Sequence, residues 1–149
     1  MQVQKSVFNK DQGYNVVNGQ KIILSEDELE QALTDSKLFS ELSYDYEIVR
    51  LVGSSTIDNQ KVYEIKISDN NTEYYSIETC LKVKKVVNQL IDGNQIIIET
   101  TIKEYQEVNG ILIPSEINQV TPAVPIPGGI TIKFNTIELN VESSDSDFN

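Results

Sequence analysis

The sequence predicts an α+β fold: a curved antiparallel β-sheet (half-barrel) wrapped around one main amphipathic helix. Three observations predict it. Short turn signals recur along the chain, among them Asn18-Gly19, Asp92-Gly93-Asn94 and Asn109-Gly110, and such pairs tolerate the positive φ angles of tight hairpins. Between the turns apolar residues alternate at period two, as in Tyr63, Ile65 and Ile67, which is the pattern of a half-buried strand. Helical spacing is convincing only once, at Leu29, Ala32 and Leu33.

Taken in order, the segment up to Asn9 reads as an edge strand or a frayed end. Tyr14–Val17 and Gln20–Leu24 form a hairpin about Asn18-Gly19. Ser25-Glu26-Asp27-Glu28 is a capping box, in which Ser25 and Glu28 satisfy each other's free amides. The helix it starts is expected to run to about Ser36, with a further short turn through Lys37–Leu42.

From Tyr44 the period becomes two, with Tyr44, Tyr46, Ile48 and Val52 on one face. Gly53-Ser54-Ser55 reads as punctuation. Strands follow at Val62–Ile67, Glu73–Ile77, Leu81–Leu90, Gln95–Tyr105 and Ile111–Val120. Pro114 places the last of these at an edge or a bulge, because it cannot donate to a ladder. Thr121–Gly129 is a stiff, proline-rich surface loop. Ile130, Ile132 and Phe134 alternate, and the shift of phase to Ile137, Leu139 and Val141 reads as a bulge. The total is about eight to ten strands and one helix.

Composition excludes more than it assigns. The chain has 149 residues, a formal net charge of −11 and no histidine. Such acidity repels phosphate backbones and anionic headgroups, so no nucleic-acid partner is expected. Without histidine there is no Ser-His-Asp or Cys-His machinery and no HExxH zinc helix. No metal, cofactor or catalytic residue is expected, and the chain reads as a non-enzyme. Cys80 is the single cysteine, so it has no partner within the chain. It reads as a small, semi-buried side chain, while Lys82 and Lys84 read as one solvated face. No stretch approaches the roughly 20 apolar residues of a transmembrane helix, and the N-terminus lacks the apolar core of a signal peptide.

Three segments carry a resemblance. Glu73-Tyr74-Tyr75-Ser76-Ile77-Glu78-Thr79-Cys80-Leu81-Lys82-Val83 resembles a "yyYfDaeTGLlvk" hairpin, with Cys80 where that pattern has glycine. Glu104-Tyr105-Gln106-Glu107-Val108-Asn109-Gly110-Ile111-Leu112-Ile113-Pro114 resembles a "dYkeVdGikfP" hairpin. Ile137–Val141 with Phe148 resembles a closing strand and "dslF" tail. Together they resemble the LolA/LolB-like superfamily of bacterial lipoprotein carriers, in the version associated with insulinase-like zinc peptidases.

The resemblance implies one LolA-like domain over residues 1–149, excised from a longer envelope protein, with 143–149 a flexible acidic tail. It implies a periplasmic or envelope location and a lipid or lipoprotein acyl chain held in the concave face of the sheet. The lining residues would be Leu29, Leu33, Phe39, Tyr63, Ile65, Ile67, Tyr75, Ile77, Ile96 and Ile98. The alternative is an accessory or protein-interaction domain, covalently linked to peptidase-like domains, with no ligand of its own.

Overall fold

The structure, a computed structural model, describes residues 4–37, 39–91, 94–122 and 126–139. The Asp92-Gly93 turn, the middle of the proline-rich loop and the segment 140–149, with the acidic tail, lie outside the described residues. The chain divides into two compact units, one containing Met1–Tyr44 and the other Asp45–Val141.

In the first unit, β1 (Gln4–Phe8), β2 (Gly13–Val17) and β3 (Gln20–Ile23) form an antiparallel sheet in the order β1-β2-β3. Asn18 takes φ 52° and Gly19 φ 79° in the two-residue turn between β2 and β3, as the Asn-Gly signal requires. The helix α1 covers Glu26–Asp35 and a single 3₁₀ turn follows at Ser40–Ser43. The capping box forms as expected: the Ser25 amide donates to Glu28 Oε2 at 2.8 Å, and the Glu28 amide reaches Ser25 Oγ at 3.4 Å. α1 packs on its own small sheet. A Cβ on Gly13 of β2 would stand 2.7 Å from Leu24 Cδ1 and 3.2 Å from Leu29 Cδ1, so the missing side chain lets the helix approach.

The bonds from the Ser25 amide and then the Ser25 hydroxyl hold the Glu28 carboxyl below its ordinary value of 4.5. A carboxylate with a lowered folded pKa stabilises the fold fully above the unfolded value, and that contribution is lost as pH falls through the folded value. Replacing Ser25 with Ala is therefore expected to lower stability at neutral pH and to weaken its fall in acid. Denaturant melts over pH 3–7, followed by helical circular dichroism, check this, the range being chosen to span roughly the carboxylate values.

The second unit is a seven-stranded antiparallel meander, open and curved, in the order β10-β9-β8-β7-β6-β5-β4. Its strands are β4 (Arg50–Ile57), β5 (Gln60–Ser68), β6 (Asn71–Ser76), β7 (Lys82–Ile91), β8 (Asn94–Val108), β9 (Ile111–Val120) and β10 (Ile130–Lys133). The sheet-dominated α+β class expected from the sequence is therefore observed. Register shifts interrupt the β4–β5, β5–β6, β6–β7 and β8–β9 ladders. Bulges of this kind bend a strand and increase its twist, which accounts for the curvature. Pro114 sits at one of them, where Glu104 pairs with Glu116 and Tyr105 with Pro114, leaving Ser115 extra.

Three local expectations are corrected. Residues 44–49 are not a strand: Ile48 and Val49 donate to the Asp45 carbonyl, and the Asp45 side chain accepts from the Glu47 amide at 3.0 Å. That local bond gives the backbone a turn in place of a ladder. Gly53-Ser54-Ser55 is not a break but the middle of β4, and the irregularity falls at Val52. The phase shift after Phe134 is not a bulge, because β10 ends at Lys133 and the described part of the proposed closing strand, 137–139, is irregular.

Candidate functional site

The cross-strand register sorts the large sheet into two unlike faces, since directly paired residues share a face. One face carries Glu64, Lys84, Glu99, Glu104, Glu116 and Lys133, joined by ion pairs such as Lys84–Glu99 at 2.6 Å and Lys133–Glu116 at 2.8 Å. Its charged part is solvated, whereas Val62 and Ser76, which pair on the same face, are fully buried.

The other face is mainly apolar, with polar residues in several of its rows. Tyr63 pairs with Tyr75, Val87 with Ile98, Gln89 with Ile96, and Ile102 with Ile117, which in turn pairs with Ile132. Ile65 opens a further row that runs through Glu73, Lys85, Thr100 and Gln119 to Ile130. Polar groups therefore cross the middle of a mainly aliphatic and aromatic surface, and Asn71, Lys82 and Gln89 stand in its other rows.

Of the ten residues the sequence singles out, Tyr63, Ile65, Tyr75, Ile96 and Ile98 are brought together on this face. Ile67 follows Ile65 at the β5 bulge and is buried. Ile77 is not on the strand; it lies in the turn after β6 and is exposed. Leu29, Leu33 and Phe39 belong to the first unit, where each is half-buried.

Glu73 of this row joins Tyr75 and Lys82 of the next in a group that sequence reasoning missed. Glu73 is fully buried, and Lys82 Nζ lies 2.9 Å from its Oε2 with the lysine side chain 12% exposed. Tyr75 donates its hydroxyl to the same oxygen at 2.6 Å. The Tyr105 hydroxyl donates to the Lys82 carbonyl at 2.7 Å, tying β8 into the cluster.

A bulge makes this possible. Tyr74 pairs with Lys84 but Tyr75 pairs with Lys82, so Val83 is extra and Lys82 turns onto the face opposite Lys84. The expected shared lysine face is thereby corrected. The available signal was Glu73 itself, which has the same strand parity as Tyr75 and so falls on the face assigned as apolar.

The β6–β7 turn is built around Ser76. Its Oγ accepts from Gln60 Nε2 at 2.8 Å and from the Thr79 amide at 3.2 Å, and its carbonyl accepts from the Cys80 amide at 2.9 Å. Cys80 is exposed, against the expected semi-buried position, and adopts φ 60°. The left-handed region costs an L-residue roughly 1–2 kcal/mol. Cys80→Gly is expected to raise stability by up to about 1 kcal/mol once glycine's greater unfolded freedom is subtracted; chemical denaturation measures it.

Among the described residues no three histidine, cysteine, aspartate or glutamate side chains converge as metal donors. None of the described helices is long and apolar enough to cross a membrane.

No family model and no curated protein matches the sequence. A solved structure does: a DUF1329 family protein from Desulfovibrio piger, with TM-score 0.57 and 13% identity. The match covers 95% of this chain and 64% of that protein. At that identity the likeness is one of fold.

Proposed function

We propose that this chain is a non-catalytic domain of the bacterial envelope that binds a hydrophobic ligand, a lipid or a lipoprotein acyl chain, on the apolar face of its larger sheet. The observation that carries the reading is the register, which gathers Tyr63, Ile65, Tyr75, Ile96 and Ile98 with Val87, Ile102 and Ile117 on one side of a curved sheet. Binding surfaces for small molecules are mostly apolar with a few placed polar groups. The row of Lys85, Thr100 and Gln119 beside the Glu73–Lys82 pair supplies such groups. An acyl tail would lie along the isoleucines and its polar head against that row.

Native mass spectrometry of the gently purified chain tests the reading. Co-purified lipid, released by organic extraction and identified by its mass, is the expected result. A clean apo mass that persists after incubation with a lipid extract would contradict it and favour an accessory, protein-binding domain of a zinc-peptidase-related protein.

A further inference from the structure

The mainly apolar face of the larger sheet carries, at its middle, a positive charge that no described residue pairs with. Lys85 of β7 stands opposite Glu73 on one side and Thr100 on the other, and Gln119 continues the row beyond Thr100. Lys85, Thr100 and Gln119 are all half-buried. Glu73 already holds the Lys82 ammonium at 2.9 Å and the Tyr75 hydroxyl at 2.6 Å. Among the described residues the Lys85 ammonium makes no ion pair or hydrogen bond. The Thr100 hydroxyl and the Gln119 side-chain amide likewise have no hydrogen-bond partner among them. One carboxylate and two ammonium groups, Glu73 with Lys82 and Lys85, leave a single positive charge at this point of the face. Asn71 and Gln89, in the rows that follow, are uncharged.

The polar band is narrow. Along β8, Ile98 and Ile102 flank Thr100 two residues away on either side, about 7 Å each at the rise of an antiparallel strand. A head group of a few atoms fits between them, whereas a phosphoglycerol head would lie over isoleucine. A half-buried ammonium among aliphatic side chains loses part of its hydration, and an anion that bonds it offsets that loss. Ammonium, hydroxyl and primary amide can all donate, and an ionised carboxylate accepts only.

We infer that the ligand of this face is a free fatty acid, its carboxylate held by Lys85 with Thr100 and Gln119 and its chain laid along Val87, Ile98 and Ile96. Bonds between ionised groups are roughly twice as strong as neutral ones, so Lys85 sets the preference for an anionic head. This assignment rests on the acyl-binding reading above and narrows it. The chains of a lipoprotein end in uncharged ester and amide groups, which would leave the Lys85 charge unmatched.

Displacement of a fluorescent fatty acid from the delipidated full chain tests it, at about pH 8, above the ordinary carboxylate range. The competitors are laurate, dodecanol and lauroyl lysophosphatidylglycerol, which share one tail and differ in head. Laurate should bind at least tenfold more tightly than either of the others. Lys85→Met should weaken laurate at least tenfold and leave dodecanol unchanged, and Thr100→Val should weaken laurate severalfold. Lys84→Met removes the same charge from the opposite face and should bind laurate as the wild type does. Circular dichroism confirms that each variant is folded; if Lys85→Met does not fold, the laurate-to-dodecanol ratio of the wild type decides. Equal affinity for laurate and dodecanol, or an unchanged Lys85→Met, would overturn the inference and leave an acyl site in place. So would tighter binding of the lysophospholipid than of laurate, or an equal loss in Lys84→Met. Binding of none of the three would defeat the acyl-binding reading itself.

Discussion

Replacing Glu73 with Ala is expected to destabilise the chain by about 3–5 kcal/mol, the cost of leaving one member of a buried ion pair without the other. Lys82→Met should cost a similar amount, because it leaves a carboxylate that is fully buried and now held only by weaker contacts such as the Tyr75 hydroxyl. The double variant Glu73→Leu, Lys82→Met should recover most of the loss, since a well-packed apolar replacement of a buried pair is often neutral or better. Denaturant unfolding of the four proteins closes a double-mutant cycle. Additive single losses would show that the two side chains do not act as a pair. The cluster also takes in Tyr105 through the Lys82 carbonyl, so Tyr105→Phe should cost less, about 1 kcal/mol for one hydrogen bond.

Gly129→Ala is expected to cost about 3 kcal/mol. Gly129 adopts φ 79°, which costs an L-residue roughly 1–2 kcal/mol. A Cβ there would also collide with the Gln119 carbonyl oxygen and stand 2.8 Å from Val120 Cγ2. Overpacking of this kind typically costs a further 1–3 kcal/mol. The carbonyl cannot retreat easily, because Gln119 pairs with both Ile130 and Thr100. Gly128, at φ 82° with open space where its Cβ would lie, should lose less when changed to Ala. Comparing the two variants by denaturation separates backbone strain from steric conflict.

Much of the fold was legible because its signals are local. Asn18-Gly19 and Asn109-Gly110 fix two-residue turns through backbone angles that few other pairs adopt. Ser25 and Glu28 start the helix through bonds made within four residues. Pro114 announced a bulge because proline lacks the donor a ladder needs.

The misreadings lie where tertiary pairing overrides alternation. Lys82 and Lys84 sit two apart and looked like one face, but an extra residue at Val83 reverses the parity. A bulge is defined by the partner strand, and one strand read alone does not contain it. Gly53-Ser54-Ser55 looked like a break, yet β5 supplies a partner for each of the three. Residues 44–49 had a strand-like period and lost to the turn capped by Asp45. The candidate site was legible to the same degree: alternation grouped Tyr63, Ile65, Ile96 and Ile98, and only the register placed Glu73 and Lys82 among them.

The central claim is that the apolar face of the larger sheet holds an acyl chain, and titration of the delipidated protein with a fluorescent long-chain fatty acid tests it most directly. The wild type should bind saturably, and Ile98→Glu, a charge placed opposite Val87 on that face, should weaken binding at least tenfold, about 1.4 kcal/mol, while remaining folded. Ile97→Glu, one residue along and on the solvated face opposite Asn88, should bind as the wild type does. Failure of the wild type to bind, or equal weakening by both substitutions, would contradict the account.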